Sequence, residues 1–180
     1  MPLTIRSATT ADMPAITAIY NEAGVGTTAS YDLAPVSVAE RLEWFEAKQR
    51  HQFPVFVAEY VADDADPQGS APQVVGFASY GAFRDKAGYA FTVEHSVYVT
   101  TDRRAGGVGR MLMSALIDAA RGRGVHVMVG AIDANNEASI KFHEQLGFTV
   151  AGRLDEVGRK FGHWLDVVFM TLTFEDSRID

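Results

Sequence analysis

The spacing of apolar and polar residues predicts alternating strands and helices along most of the chain. Segment 92–99, TVEHSVYV, is rich in β-branched and aromatic residues, as strands are. Segment 108–120 carries apolar residues on one helical stripe, and Gly122 and Gly124 mark its end. Segment 125–132 is nearly all apolar, as expected for a strand covered on both faces. Together the three segments predict a strand–helix–strand crossover.

Capping signals and breaker residues place the other elements. Ser37 and Glu40 form a capping box, which predicts a helix to about Arg50 that is buried through Leu42 and Phe45. Further helices are predicted to begin at Thr10 and at Asn135–Asn136. Further strands are predicted at 3–6, 53–59, 74–80, 148–153 and 167–174. The segments predicted as loops are 24–31, 81–89 and 157–166, with a hairpin tip at 63–72.

Composition narrows the class of protein. The 180 residues are enough for one α/β domain over 1–180 with a real core. The net charge is −7, which disfavours nucleic acid as the main partner. Cysteine is absent, which excludes disulfides and a cysteine nucleophile and suits a reducing cytoplasm. No apolar run is long enough for a membrane span, the first residues lack a signal-peptide core, and no histidine or acidic cluster has metal-ligand spacing.

The turn between strand 92–99 and the following helix has the composition of an anion site. Gly107 and Gly109 let backbone N–H groups approach a ligand, and the helix N-terminus adds partial positive charge. Arginines flank the turn at 103, 104 and 110. A Walker loop is excluded because Met111 follows Gly109–Arg110. A dinucleotide-binding turn fits poorly because Leu112 occupies the third glycine position, and a flexible turn with surface arginines is the remaining alternative.

Two motifs resemble a known family. The pattern Arg104-x-x-Gly107-x-Gly109 resembles the acyl-CoA-binding motif of the GNAT N-acetyltransferases, and segment 136–148, NEASIKFHEQLGF, resembles the same family's Asn-x-x-Ser helix. Segment 92–99 is also similar to the catalytic strand of the phosphinothricin and methionine sulfoximine acetyltransferases. Further similarity to that subgroup lies at 19–22, Thr27–Thr28, His143 and Gly158…Gly162-x-Trp164-x-Asp166. The resemblance covers about residues 3 to 174.

The resemblance implies a GNAT fold, which is a mixed, strongly twisted central sheet flanked by helices, and acetyl-CoA as cosubstrate with no metal. It also implies a set of residues that bind the cosubstrate through the strand backbone, the glycine turn and the next helix. These are Val97, Tyr98, Val99, Arg104, Ala105, Gly106, Gly107, Val108, Gly109, Arg110, Asn136 and Ser139. The sequence departs from the family at Ala105–Gly106, where relatives often carry a glycine and a basic residue, and Arg110 offsets the lost phosphate contact.

The same resemblance implies direct acetyl transfer to the α-amino group of a small amino acid such as L-methionine sulfoximine or L-phosphinothricin. Glu94 is the predicted general base. His143 is a candidate acid for the thiolate, since its side chain titrates near neutral pH. Because alternate strand residues face opposite sides, His95 is expected to contribute mainly its backbone. The predicted substrate-binding residues are Phe83, Arg84, Asp85, Lys86, Glu94, His95 and Ser96, with Arg84 on the substrate anion.

Other side chains and other functions stay open. Tyr31 and Trp164 are candidate pocket walls, and Lys160 and His163 are weaker candidates. The alternatives are acetylation of a peptide N-terminus or a polyamine, a non-catalytic acyl-CoA-binding module, and a nicotinamide oxidoreductase. A wide groove would favour the first, and indifference to Glu94→Gln would favour the second. A homodimer is expected from the resemblance alone.

Overall fold

The structure is a computed structural model that describes residues 3–60, 72–103 and 106–175. Its strands are β1 (Leu3–Ser7), β2 (Val55–Tyr60), β3 (Gln73–Ala82), β4 (Thr92–Val99), β5 (Val127–Asp133), β6 (Thr149–Lys160) and β7 (His163–Thr173). They form one sheet of seven strands in the order β1-β2-β3-β4-β5-β7-β6. All neighbouring strands are antiparallel except β4 and β5, which are joined by the predicted crossover.

The helices are α1 (Met13–Ile19), α2 (Val38–Arg50), α3 (Val108–Gly122) and α4 (Glu137–Glu144). A 3-10 turn (Thr10–Asp12) precedes α1, and a π-helix (Tyr20–Val25) follows it. Helices α1 and α2 contribute to an apolar cluster around Phe77, whereas the apolar stripe of α3 packs in a second cluster with Met128. The predicted mixed α/β sheet flanked by helices is therefore confirmed. Each helix in the described ranges is too short or too polar to cross a lipid bilayer.

The capping predictions at Ser37 and Asn136 hold in detail, whereas Thr10, predicted as a cap, is the first residue of a 3-10 turn that Thr9 precedes. The backbone N–H of Glu40 donates to Ser37 Oγ at 3.2 Å, and the Ser37 N–H donates to Glu40 Oε2 at 2.7 Å. Helix α3 begins after Gly107, whose φ of 80° lies in the left-handed region that favours glycine. Asn136 caps α4 by accepting from the Ser139 N–H at 3.1 Å. Local polar signals therefore fix where three of the helices begin.

The predicted loop at 157–166 is wrong. β6 continues to Lys160 and β7 begins at His163, with only a two-residue turn between them. β6 is an exposed edge strand whose register with β7 shifts twice, so its sequence lacks the regular alternation that marks a half-buried strand. The loop predicted from residue 24 also starts later, because the π-helix runs to Val25. The acidic segment 63–66 lies outside the described residues.

One more difference concerns the buried face of α2. Phe45 is buried as predicted, but Leu42 is only half-buried and the neighbouring Arg41 is 7% exposed. Helical spacing predicts which stripe faces inward, but it does not say which polar residue at the border of that stripe is covered by neighbouring elements.

The feature that positions the site is a gap in the sheet. The parallel ladder between β4 and β5 has three Cα pairs and ends at Glu94–Val129. Beyond that pair, β4 continues beside β3 to Val99 while β5 continues beside β7 to Asp133. The β5-facing edge of β4 from Ser96 onward therefore has no strand partner in the described structure, and two cavities occupy the gap.

Candidate active site

Two connected cavities fill the gap between β4 and β5. We call the smaller one, of about 380 Å³, the inner cavity; it is lined by residues 94–98, 130–133, loop residues 28–31 and His143. We call the larger one, of about 700 Å³, the outer cleft; it is lined by Val97–Val99, the turn at Gly107–Arg110 and α4. The residues common to both linings are Thr28, Ala29, Val97, Tyr98, Asp133, Asn136 and Ser139. The two spaces therefore form one continuous path.

Glu94, which lines the inner cavity, forms a charged pair with Arg84 on the loop before β4. Glu94 Oε2 lies 3.8 Å from Arg84 Nη1, and the Glu94 side chain is 38% exposed. Burial raises the pKa of the Glu94 carboxyl, and the Arg84 charge partly opposes that shift. The Arg84 guanidinium lies over the Phe83 ring with its Cζ 4.0 Å from the centroid. A half-buried carboxylate beside a cation can accept a proton from an ammonium group while the cation binds an acid group.

His95 and His143 form a stacked pair on the other side of β4, with ring centroids 5.0 Å apart. Burial lowers the pKa of His95 to about 3, and it also lowers the pKa of His143, so both rings are neutral near pH 7. Gly130 makes room for the pair, because a Cβ there would lie 2.9 Å from His95 Nε2. The side chains of Glu94 and His95 point to opposite faces as predicted, yet both residues line the inner cavity because the cavity opens between strands.

The hydrogen bond of His143 decides which ring nitrogen carries the proton. Nδ1 lies 2.7 Å from the carbonyl oxygen of Ser139, which can only accept, so Nδ1 is the donor. Nε2 is buried and has no hydrogen-bond partner among the described residues. The resting ring therefore presents a lone pair at Nε2, so it can accept a proton but has none to donate there.

The outer cleft has the features of a phosphate site. The first hydrogen bond of α3 that reaches the turn runs from the Met111 N–H to the Gly107 carbonyl, at 3.1 Å. The N–H groups of residues 108–110 therefore lack helical acceptors, as in the first turn of any helix. Arg110 donates to Gln145 Oε1 at 2.9 Å, while Arg103 lies over the Tyr60 ring. These groups fit an anion such as a pyrophosphate.

Several predicted site residues lie elsewhere. Arg104 and Ala105 lie outside the described residues. Val108 is 4% exposed and belongs to the apolar core beside α3. Arg84, Asp85 and Lys86 are exposed and, like Gly106 and Phe83, line neither cavity. Trp164 is 60% exposed and forms no wall, whereas Tyr31 lines the inner cavity.

The loop at 27–31 is a site element that the sequence indicated only in part, through the similarity at Thr27–Thr28 and Tyr31 as a candidate pocket wall. Lys160 is 4% exposed, and its Nζ donates to the carbonyl oxygens of Thr27 at 2.7 Å and Ser30 at 2.6 Å. The Tyr31 ring lies against Gly158, where a Cβ would approach it to 2.4 Å. The β6–β7 hairpin thus fixes the wall of the inner cavity. Only the partner carbonyls, which sequence does not reveal, distinguish Lys160 from a surface lysine.

In the described part of the chain, no three histidine, aspartate or glutamate side chains are grouped so that they could hold a metal ion. The residues that meet in the gap are a carboxylate, two neutral histidines and unpaired backbone donors, and an arginine pairs with the carboxylate. This set suits acyl transfer to an amine, with a proton acceptor and oxyanion donors close together.

Comparison with known proteins agrees with this assignment. Residues 5–169 match the family model described as acetyltransferase (GNAT) domain. The chain therefore belongs to the GNAT family of acetyltransferases, and it is an acyl-CoA N-acetyltransferase.

Its relatives lie in the predicted subgroup. The chain is 46% identical over 178 residues to an L-methionine sulfoximine/L-methionine sulfone acetyltransferase of Pseudomonas paraeruginosa, covering 99% of this chain and 98% of the relative. A phosphinothricin acetyltransferase of Sinorhizobium meliloti, solved in complex with acetyl-CoA, is 34% identical with a TM-score of 0.86, covering 97% of this chain and 89% of that one. A ribosomal-protein-alanine N-acetyltransferase of Brucella melitensis is 45% identical with a TM-score of 0.85, covering 95% and 99%. The predicted family and subgroup are confirmed.

Proposed function

We propose that this protein transfers the acetyl group of acetyl-CoA to the α-amino group of a small amino acid of the methionine sulfoximine, methionine sulfone or phosphinothricin type. The observation that supports the proposal is the pair formed by Arg84 and Glu94, 3.8 Å apart, of which Glu94 lines the inner cavity. An α-amino acid carries an ammonium and a carboxylate on one carbon. A carboxylate and a guanidinium held this close match that pair of charges.

Binding of the acceptor follows from the same pair. Arg84 binds the α-carboxylate, and Glu94 faces the α-amino group. Arg84 is half-exposed and donates only to its own neighbour's carbonyl at 2.6 Å, so binding a carboxylate leaves no buried partner unpaired. Ser96 lines the cavity two residues beyond Glu94 on the same strand face.

The outer cleft is the proposed site of acetyl-CoA, which supplies an activated acetyl thioester. The N–H groups of Val108, Gly109 and Arg110 bind the pyrophosphate at the N-terminus of α3. The unpaired edge of β4 at Val97–Val99 binds the pantetheine arm and offers an N–H to the carbonyl oxygen. Asn136 and Ser139 line the passage between the two cavities.

The proton path uses two groups. Glu94 accepts a proton from the acceptor ammonium, and its raised pKa brings it nearer to the operating pH. His143, neutral and with a lone pair at Nε2, accepts the second proton that the nitrogen loses as the new amide forms. The imidazolium then donates that proton to the departing thiolate. The prediction that His143 acts as an acid is therefore refined, since the ring must first gain the proton that it gives.

The test is thiol release from acetyl-CoA with L-methionine sulfoximine, L-methionine sulfone, L-phosphinothricin, spermidine and an alanine-ended peptide as acceptors. Release with the amino acids, lost in Glu94→Gln, is the expected result. Release with the peptide or spermidine alone would reject the proposed acceptor but keep the fold and cosubstrate. Acetyl-CoA binding without release from any acceptor would favour the binding module.

Acetylation of a peptide N-terminus is the second candidate, and the name of the Brucella relative favours it. A peptide needs an open groove for the residues that follow its first amino acid. The loop at Thr27–Tyr31, held by Lys160, walls the inner cavity and limits it to about 380 Å³. That volume suits a free amino acid better than an extended chain.

We also propose that the chain is one domain over residues 1–180 that forms a homodimer through the β6–β7 hairpin. This hairpin carries Val150, Leu154, Val157, Phe161 and Trp164 with between 47% and 61% of each side chain exposed. Apolar residues grouped this way mark association surfaces. Light scattering after size-exclusion chromatography tests the state, and Trp164→Glu is expected to shift a dimer toward monomer.

A further inference from the structure

A third cavity, of about 260 Å³, lies beside the inner cavity on the α2 side of the sheet. We call it the arginine cavity; it is lined by Tyr20, Asp32, Val36, Glu40, Arg41, Trp44, Phe77, Ser96 and Tyr98. Tyr20, Ser96 and Tyr98 also line the inner cavity, so the two spaces adjoin. Neither the charged pair nor the outer cleft uses this space.

Arg41 is the unusual residue of this cavity. It is only 7% exposed, and its guanidinium carbon lies 4.1 Å from the centroid of the Tyr20 ring and 4.8 Å from that of Trp44. Its Nε is buried without a hydrogen-bond partner, and no carboxylate of the described residues lies within ion-pair distance of it. Burial lowers the pKa of Arg41, and interactions with Tyr20, Tyr98 and Asp32 oppose that shift only in part. Buried donors without partners are rare unless a ligand completes them.

The other charges of the cavity limit what the ligand can be. Asp32 Oδ2 already accepts from the Tyr20 hydroxyl at 2.6 Å, and Glu40 closes the cap of α2 with Ser37. Both carboxylates therefore already accept hydrogen bonds, but their negative charges still face the arginine cavity. A full anion would be repelled, whereas a neutral group with a strongly dipolar oxygen can accept from Arg41. The four aromatic rings around it suit a methyl group.

The spacing of Glu94 and Ser96 along β4 fits an amino acid of methionine length. Ser96 follows Glu94 by two residues on the same strand face, which places their Cα atoms roughly 6–7 Å apart. The extended side chain of methionine sulfone covers about the same distance between its α-amino nitrogen and its sulfone oxygens. An acceptor with its amine at Glu94 therefore brings its oxidised sulfur level with Ser96, which lines both the inner cavity and the arginine cavity.

We infer that Arg41 donates a hydrogen bond to the oxygen or nitrogen on the oxidised sulfur of the acceptor and so selects oxidised methionine side chains over unoxidised ones. This inference rests on the proposed function, because the position of the acceptor is fixed by Glu94 and Arg84. A site that leaves a buried donor unpaired disfavours an analogue without the acceptor atom. Arg41 is thus a specificity-determining residue on α2, remote in sequence from the catalytic strand.

The experiment compares kcat/KM for L-methionine sulfone with that for L-norleucine, which has similar length but no polar atom at that position. In the unmodified protein the sulfone is expected to be better by about 10- to 100-fold, the range for a hydrogen bond to a charged group. Arg41→Met is expected to reduce this ratio to less than about threefold. Arg84→Gln is the matched control, because the α-carboxylate is common to both acceptors and the ratio should persist.

The outcomes separate the inference from the proposed function. If Arg41→Met lowers both rates by the same factor, or if the unmodified protein acetylates L-norleucine as well as the sulfone, the selection by Arg41 is rejected. The second measurement needs no variant, so it remains decisive should Arg41→Met fail to fold. If neither amino acid is acetylated while a peptide is, the proposed function itself fails. A better rate with anionic L-phosphinothricin than with the neutral sulfone would also contradict the inference.

Discussion

The two faces of β4 hold different kinds of chemistry. On one face, His95 stacks on His143 and Val97 packs with the α3 cluster, so this side is neutral and largely dry. On the other face, Glu94 meets Arg84, and Tyr98 packs edge-on against Tyr20 at 5.2 Å. The strand thus separates a neutral side from a charged side, and the gap beside β5 joins the two.

The difference teaches how one strand can serve two substrates. A charged acceptor needs opposite charges on the protein to bind it. Burying an unpaired charge away from water is costly, so these protein charges must be paired or remain accessible to water. A thioester needs aligned backbone donors and a proton for its departing thiolate, which the neutral His143 can relay. Because successive side chains of a strand point to opposite faces, neighbouring residues of β4 can meet the two requirements on different sides. The following changes test that separation, from the largest expected effect to the smallest.

Glu94→Gln, on the charged face of β4, should cause the largest loss of activity. Loss of a general base lowers rates by about 10²- to 10⁴-fold, and kcat/KM for the amino acid acceptor should fall within that range. Binding of acetyl-CoA should be unchanged, as followed by calorimetry. In the unmodified protein the acid limb of the kcat/KM profile should lie above the usual carboxyl range, because burial raises the pKa of Glu94. A variant that retains full activity would exclude Glu94 as the base.

Gly130→Ala should disturb the packing on the neutral face of β4. The new Cβ would lie 2.9 Å from His95 Nε2, so the stacked rings must move. Overpacking of this kind costs about 1–3 kcal/mol of the free energy of unfolding. Gly152→Ala is the control, since a Cβ there meets nothing within 4 Å and should change stability by less than about 0.5 kcal/mol. Equal unfolding temperatures for the two variants would contradict the crowding at Gly130.

His95 should make stability depend on pH. Its pKa is about 3 in the folded protein and 6.5 when exposed, so between these values the unfolded chain binds the extra proton. Stability therefore rises with pH across this window and is lost on acidification. The unmodified protein should lose about 1 kcal/mol more than His95→Gln between pH 7.5 and pH 5.5. An equal change of stability with pH for both proteins over this range would show that the pKa of His95 is not lowered in the folded protein.

His143→Gln should have the smallest effect. The thiolate is a good leaving group, so loss of the proton relay should lower kcat by about tenfold or less. KM for acetyl-CoA should change little. Since the pKa of His143 is lowered by burial, no histidine ionisation should appear in the kcat profile above pH 6.5 in the unmodified protein. A loss as large as that of Glu94→Gln would mean that His143 is the principal base.

Much of this protein follows from local signals in the sequence. Ser37 and Asn136 indicate where α2 and α4 begin, because each accepts from an otherwise unpaired backbone N–H in the first turn of its helix, and Gly107 marks the start of α3 through its left-handed backbone. The crossover and the anion turn follow from the same kind of signal. The full length of the edge strand β6 did not follow from such signals. The strand is exposed and its register shifts, so apolar and polar residues do not alternate regularly along it.

The sequence by itself determined the elements, the glycine turn and the choice of Glu94, because hydrophobic period, capping and family motif all act within short segments. Only the tertiary structure decided that Lys160 fixes the loop at Thr27–Ser30 and that Arg41 is buried beside the acceptor cavity. Both depend on contacts between segments far apart in the chain. Burial and the absence of a partner are properties of the surroundings, so the same lysine or arginine in sequence is equally a surface residue.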